Sequence, residues 1–391
     1  MRVALVDPSL FTLPYDRGLA VGLAAAGHDV VLHGRRLGPN DGGADDVALS
    51  PSFYRLAGTR PVAALPAPLR LAIKGLDHAW SLARLRRRLG AEAPDVIHFQ
   101  WLPLPVVDRR LLGGFRALAP MVLTVHDTDP FNGSPTAAVQ RLGVTEAFKA
   151  FDRLIVHTAQ GRERLLAHGL APERIAVVPH GITTRAPATL APSRLDGEIT
   201  FLLFGKMKPY KGIDVLIEAF AMLPEALRSR ALVRVVGKPY MDIEPLRALA
   251  RERHVGDRVV LEPRFVADDE IPALFAPDTV AVFPYREIEA SGVLSQAIEN
   301  GRPVIASRLG NLAEAIRDGV DGCLVPPGDA PALAAALGRF AADRAFAASC
   351  AASVREMAAT LGERAGGVLP WNEVGRRTAA LYREIGAART G

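Results

Sequence analysis

Cysteine is nearly absent, with Cys323 and Cys350 the whole complement of 391 residues. So few thiols exclude a disulfide scaffold and a cysteine-built metal centre, and they fit a reducing compartment. No apolar run approaches the roughly 18 to 20 residues that a membrane-spanning helix needs. The opening MRVALVDPSLF is interrupted too soon, by Asp7 and Pro8, to be a secretory signal. These absences predict a cytoplasmic protein. A nucleic-acid-binding motif is also missing around the basic residues, which argues against nucleic acid as a partner. The rest of the composition is that of an ordinary globular chain, 49% hydrophobic and 23% charged, and its length implies two domains.

The net charge of +5 is unevenly placed. Residues 1–190 carry 22 basic against 16 acidic side chains, whereas residues 191–391 carry 25 against 26. The densest basic stretch is RLRRRL at 84–89, preceded by the mixed apolar and basic PLRLAIKGLDHAWSLA at 68–83. Such a segment suits an anionic membrane surface or a phosphorylated acceptor, and equally a solvated helix face.

Short β-branched runs alternate with helical patterns along the chain. Strands are expected at 2–6, 29–33, 95–99, 121–125, 153–156 and 175–178, and again at 199–204, 231–236, 258–261, 279–282 and 303–306. Strand-helix-strand order demands crossover connections, so both halves read as α/β domains with mostly parallel sheets. The stretch at 183–198, rich in Pro, Ala and Thr, reads as a linker. The boundaries that follow are a first domain at 1–185, a linker at 186–198, a second domain at 199–369 and a tail helix at 370–391. In that tail Trp371, Val374, Ala379, Leu381, Tyr382 and Ile385 form a partly apolar face, expected to pack back on the first domain.

Two turns in the second half carry the most chemistry. FGKMKPYKG at 204–212 and PYREIEASGVLSQAIENGRPVIAS at 284–307 each run from an apolar strand through a turn into a helix. Lys206 and Lys211 supply positive charge, and the Ser291-Gly292 turn exposes backbone N–H groups and a helix dipole to an anion. Two such turns in one domain suggest a diphosphate held between them.

With VVPHGI at 177–182 and GRPVIASRLGNLAEAIRDGVDGCLVPPGD at 301–329, these motifs resemble retaining glycosyltransferases of family four. The first half resembles that family more loosely, through PDVIHFQW at 94–101 and LTVHD at 123–127. The resemblance implies the GT-B fold, two Rossmann-like doubly wound domains facing a central cleft. It implies a hexosyltransferase that moves a sugar from a nucleotide-diphosphate-sugar donor to an acceptor hydroxyl, with retention at the anomeric carbon and no metal or other cofactor. The second domain would bind the donor and the first the acceptor, a glycan, a lipid-linked molecule or a small molecule. Envelope or exopolysaccharide assembly, and peripheral contact with the inner face of the membrane, fit that reading.

Carried over by motif, the resemblance assigns donor binding to Gly205, Lys206, Lys211, Glu287, Ser291, Gly292, Val293 and Gln296. Lys206 stands where relatives commonly have Arg, keeping the charge but losing the planar fork. The family's Glu-x7-Glu pair falls on Ile288 and Gln296, so that motif is not intact, and of Glu287 and Glu289, which flank Ile288, Glu287 is taken as the carboxylate that meets the sugar. His126 matches a family histidine that touches the donor, and with Lys206, Lys211 and Glu287 it makes the expected catalytic set. Tyr15 and Asp16, in the turn where relatives have a Gly-Gly loop, are assigned to the acceptor with His98 and Asp127. Asp127 and Asp129 have the Asp-x-Asp spacing of a metal motif, but the phosphate turns lie in the other half, so no metal is expected. A nucleotide-sugar epimerase, a glycoside phosphorylase and a noncatalytic nucleotide-sugar-binding protein remain rival readings on the same fold.

Overall fold

The computed structural model describes residues 1–38, 41, 46–128, 143–183, 191–195, 197–360 and 368–390. The chain divides into two compact units, Met1–Gly181 with Trp371–Gly391, and Ile182–Pro370. Each is built on one parallel sheet.

In the first unit the strands are β1 (Arg2–Val6), β2 (Asp29–Gly34), β3 (Ala48–Pro51), β4 (Val96–Phe99), β5 (Met121–Thr124), β6 (Arg153–Val156) and β7 (Ile175–Val177). Their order is β3-β2-β1-β4-β5-β6-β7, so the winding direction reverses between β1 and β4. β8 (His180–Ile182) belongs to a separate two-stranded sheet with Val368–Pro370. The second unit carries β9 (Ile199–Phe204), β10 (Ala231–Val236), β11 (Val259–Glu262), β12 (Thr279–Phe283), β13 (Val304–Ser307) and β14 (Gly322–Val325). They are ordered β11-β10-β9-β12-β13-β14, with the reversal between β9 and β12. Both are doubly wound sheets, and a ligand of such a sheet sits outside the carboxyl ends of the strands at the reversal.

The continuous apolar runs arise because both faces of each sheet are covered. In the second unit Phe201, Leu203, Val280 and Val282 enter one core. Their neighbours Leu202, Ala281 and Phe283 enter another on the opposite face. Each fully buried Val, Leu or Phe among them contributes about 1.5–3 kcal/mol. The tail forms a helix, Trp371–Thr390, that packs on the helix Leu13–Ala25. Contact there is backbone to backbone, since a Cβ on Gly375 would lie 2.1 Å from the carbonyl carbon of Gly22. Val374, Ala379, Tyr382 and Ile385 are buried.

Two departures concern short or Pro-containing segments. The strands β3 and β14 were not expected, because four residues containing Pro51 or Gly322 show too little periodicity to read. Part of the expected linker is also packed structure. Leu195 is buried in the core of the second unit, and buried Arg302 donates to Ala191 O at 2.7 Å and Ser193 Oγ at 2.8 Å. An Ala- and Pro-rich composition conceals these anchors. Residues 184–190 and 196 of that segment, and Asp129, lie outside the described residues.

Candidate functional site

At the reversal of the second sheet, β9 and β12 lie side by side and each delivers one of the two phosphate-type turns. Glycine is required where the turns meet. Gly212 has φ +65°, and a Cβ there would stand 2.0 Å from Pro284 O. Gly205, at φ +115°, lies against the start of the helix Gly292–Glu299, where its Cβ would be 3.3 Å from Val293 Cγ2 and 3.4 Å from Lys211 Nζ.

Arg286 ties the turns together. Its backbone N–H donates to Tyr210 O at 2.7 Å, and its guanidinium donates to Pro209 O at 3.1 Å and to both Asp214 carboxylate oxygens at 2.9 and 2.6 Å. The ion pair is half exposed and worth under about 1 kcal/mol by itself, so its role is to set geometry. From the other side, Asn311 accepts Ser291 N–H on Oδ1 at 2.9 Å, and its own N–H donates to Glu289 O at 2.9 Å. Gly310, at φ +45°, lets that helix end approach, for a Cβ would be 2.2 Å from Glu289 O. The 288–291 loop is thereby fixed from two directions.

Lys211 is the most unusual group of the site. It is only 4% exposed, donates to the Tyr285 hydroxyl, and has Nζ 4.2 Å from the Tyr285 ring centre and 5.8 Å from that of Tyr210. Burial lowers its pKa, an effect the Tyr210 hydroxyl opposes weakly. A desolvated ammonium is costly, and π faces return about 2 kcal/mol of that cost. Lys206 is exposed at the rim, and desolvation by the surrounding loops, then the charges of Lys208, Lys211 and Lys238, lowers its pKa. Lys206, Lys208 and Lys238 all stand 5.7–6.0 Å from the Tyr240 ring centre. Such crowding of like charge favours a multiply charged anion.

Gly205, Lys211, Ser291 and Val293 are thus brought together as expected donor-site residues. Ser291 is buried and does not cap the helix through its side chain, and exposed Gly292 opens that helix. Gln296 is half-buried one turn further on. Glu287 is exposed, whereas Glu289 is buried in the loop that Asn311 pins.

In the first unit, histidines gather after β5 and β6 and at β8. His157 Nδ1 is 3.0 Å from Val178 O, His157 Nε2 is 3.2 Å from His126 Nδ1, and His126 Nε2 is 3.1 Å from the Gln100 amide and 3.5 Å from Thr12 Oγ1. A carbonyl only accepts, so His157 Nδ1 carries a proton. Burial pushes His157 down to about 3, and burial, then the neighbouring His157 and His180, holds His126 well below its ordinary value. Both rings are therefore neutral, and His126 uses its one N–H, on Nδ1, towards His157. Its Nε2 accepts, so the Gln100 amide turns its NH₂ to that nitrogen. His126 is half-buried, with Nε2 turned to Gln100 and Thr12.

Three expected acceptor residues are core groups. His98 is fully buried, with Nδ1 2.6 Å from Tyr382 Oη and Nε2 2.8 Å from Thr124 Oγ1, and burial takes its pKa to about 3. It lies inside β4, not at its end, and faces the helix layer. Tyr15 sits among His126, His157, His180 and Trp371, with ring centres 4.7–5.2 Å away. Asp16 is fully buried, and burial, then the charge of Asp7, raises its carboxyl well above the usual range. Tyr15 and Asp16 thus pack in the interior of the first turn. Asp127 is half-exposed beside His126. Among the described residues no group of three or more His, Cys, Asp or Glu is arranged to hold a metal ion, and no helix is long and apolar enough to cross a membrane.

Comparison with known proteins decides the family. Residues 17–186 match the model described as Glycosyltransferase Family 4, and residues 198–343 match that of Glycosyl transferases group 1. By these matches the chain resembles the glycosyltransferases of family four, and its fold is the GT-B fold. Among curated relatives, the D-inositol 3-phosphate glycosyltransferase of Acidothermus cellulolyticus is 30% identical over 269 residues, 63% of this chain and 59% of that protein. The Streptomyces griseus protein of the same name is 31% identical over 314 residues, 71% of this chain and 64% of that one. The chain thus spans about three fifths of the length of the curated relatives it matches. Solved structures similar in fold include Anabaena HepE in complex with UDP and glucose, at TM-score 0.72 and 19% identity over 98% of this chain and 100% of that one. Sucrose-phosphate synthase of Thermosynechococcus elongatus is similar at TM-score 0.72 and 22% identity, covering 99% of this chain and 100% of that one.

Arg286, Tyr285, Asn311, Gly212 and the His157–His126 chain escaped the reading of motifs. PYR and LGN were visible as strings, but nothing local says that Arg286 reaches Asp214 or that Asn311 reaches Ser291.

Proposed function

We propose that this glycosyltransferase moves a sugar from a nucleotide-diphosphate-sugar donor, bound by the second unit, to an acceptor hydroxyl, with retention at the anomeric carbon. The observation that carries this reading is buried Lys211, aimed with Gly205 and the helix start at Val293 into the joint of two turns at the sheet's reversal point. HepE, similar in fold, binds UDP and UDP-glucose, which supports a nucleotide donor. Negative charge builds on the diphosphate as the sugar–phosphate bond breaks. Lys206, Lys211 and the N-terminus of the helix Gly292–Glu299 stabilise it without a metal ion. Between the two candidate carboxylates, the fixed loop position of Glu289 suits a contact with the sugar better than exposed Glu287.

The test is release of nucleoside diphosphate from UDP-glucose, UDP-N-acetylglucosamine and GDP-mannose, with and without EDTA, followed by anomeric analysis of the product. Release that depends on an acceptor and survives EDTA is expected. Conversion of the donor to another sugar nucleotide without acceptor would establish an epimerase, and no turnover with intact nucleotide binding would leave a binding protein.

The acceptor side of the proposal includes a cytoplasmic membrane surface. The helix Ala67–Glu92 begins with Leu69, Leu71, Leu76 and Trp80 exposed at 49%, 59%, 74% and 53%. Arg70 and Lys74 interleave them, and the Arg84 guanidinium lies 4.6 Å from the Trp80 ring centre. Apolar side chains flanked by cations suit the interface of an anionic bilayer. Cosedimentation with phosphatidylglycerol vesicles, but not phosphatidylcholine vesicles, is expected, and Leu76→Glu/Trp80→Glu should abolish it.

A further inference from the structure

Ser291 stands at the N-cap of the helix Gly292–Glu299 but does not cap it. A serine there ordinarily accepts the N–H of the second or third helical residue, yet the Ser291 side chain makes no such bond. Its hydroxyl is turned instead to the hydroxyl of Tyr285. Tyr285 is fully buried and held edge-on between Phe283 and Tyr210, with ring centres 5.7 and 5.8 Å away, and its oxygen also accepts from Lys211 Nζ. One phenol oxygen thus joins a side chain from each of the two turns.

The order of the protons follows from the chemistry of the three groups. An ammonium only donates, so the Tyr285 oxygen accepts from Lys211, and the phenol proton goes to Ser291 Oγ, its other partner among the described residues. The hydroxyl proton of Ser291 is then left to give, whereas its backbone N–H is already spent on Asn311 Oδ1 at 2.9 Å. Buried Lys211 uses one of its three N–H groups on Tyr285, and among the described residues the other two have no hydrogen-bond partner. They lie beside the helix start, because a Cβ on Gly205 would be 3.4 Å from Lys211 Nζ and 3.3 Å from Val293 Cγ2. Donors alone are gathered at this joint: an uncapped helix start, a hydroxyl proton and ammonium N–H groups.

We propose that Tyr285 is a positioning residue of the donor site, whose hydroxyl aims Lys211 and draws the Ser291 side chain off the helix start, so that all three kinds of donor meet one phosphate group. Phenylalanine in its place keeps the ring and its packing. It releases Lys211, however, and frees Ser291 to cap its own helix in competition with the phosphate. The inference rests on the transferase reading, because it names what shapes the diphosphate site of that reading.

The test is titration calorimetry of UDP, in EDTA, on the full chain as wild type, Tyr285→Phe, Ser291→Ala and the double variant. Tyr285→Phe should bind UDP about tenfold more weakly or worse, the loss of a hydrogen bond to a charged group, and Ser291→Ala about three- to tenfold more weakly. The double variant should bind no more weakly than Tyr285→Phe, since without the phenol the serine is only a competing cap. Affinity should also be lost at lower alkaline pH in Tyr285→Phe, by about one pH unit, because the phenol oxygen favours charged Lys211. Tyr210, which opposes the effect of burial on Lys211, and Lys206, which feels the Lys211 charge, face the same ammonium. Both are common to the two proteins, and burial keeps Tyr285 a phenol, so the difference between the profiles belongs to Lys211. Wild-type affinity and pH profile in Tyr285→Phe, or losses that multiply in the double variant, would overturn the inference. Should Tyr285→Phe not fold, Ser291→Ala carries the test, and unchanged affinity in it would overturn the inference equally. Absence of UDP binding in the wild type removes the donor reading itself, whereas wild-type binding that neither substitution touches removes the role of Tyr285 alone.

Discussion

Gly212→Ala should cripple the donor site far more than an equivalent change elsewhere. Any non-glycine residue at φ +65° bears the left-handed penalty, about 1–2 kcal/mol. At Gly212 the new methyl also meets Pro284 O at 2.0 Å, so the two turns must part by roughly 1 Å, and such overpacking costs a further 1–3 kcal/mol or so. Gly328 supplies the control, for its φ is +73° and a Cβ there has no neighbour within 4 Å. Gly328→Ala should therefore lose about 1–2 kcal/mol and Gly212→Ala about 2–5 kcal/mol, at roughly 2–4 °C per kcal/mol for a unit of this size. Misplacement of this order costs about a hundredfold in turnover, so kcat/KM for transfer should fall by about that factor in Gly212→Ala and stay within about twofold in Gly328→Ala. Thermal melts and initial rates on the two variants make the comparison. Equal losses of rate would refute the idea that the contact between turns shapes the site.

Tyr382→Phe removes the hydroxyl bonded to buried His98 and should destabilise the first unit by about 1–3 kcal/mol, with UDP binding unchanged, as a melt with and without UDP would show. His98 also predicts a pH dependence. Its folded pKa lies near 3 against about 6.5 unfolded, so the unfolded chain takes up the proton first, and stability falls as pH drops from about 6.5 towards 3. The group contributes up to about 1.4 kcal/mol per pH unit in that window. Asp7 and Asp16, whose pKa values are raised, act in the opposite sense, so the slope in wild type minus that in His98→Gln isolates the histidine. A difference near zero would mean that His98 is protonated in the folded protein.

Much of the fold was legible because both sheets are parallel and covered on both faces, which makes β1, β4, β9 and β12 mostly apolar. The two turns after β9 and β12 were legible for a related reason, since Gly and Lys directly after a strand have few structural uses. Contacts that close in space but not in sequence were not legible. Arg286 meets Asp214 72 residues away, and His98 meets Tyr382 284 residues away. His98 therefore looked like a strand-end ligand when it is a buried link to the tail helix. Tyr15 and Asp16 misled similarly, because a polar turn after the first strand reads as exposed, whereas Asp7 and the histidines draw it into the interior. The two histidines in LTVHD and RLIVHT could be seen, but not the order of their protons, which depends on the carbonyl of Val178.

The central claim is that Lys211 is kept buried and desolvated for a diphosphate. The measurement is the melting temperature of wild type and Lys211→Met with and without UDP, in EDTA. UDP at about 100 times its dissociation constant should stabilise the wild type by about 2.7 kcal/mol, a shift of several degrees. Lys211→Met should melt at or above the unliganded wild type, having shed a desolvated charge, and should show no UDP shift. A variant that melts lower than wild type yet keeps the full UDP shift would contradict the account, making Lys211 a structural residue and placing the diphosphate elsewhere.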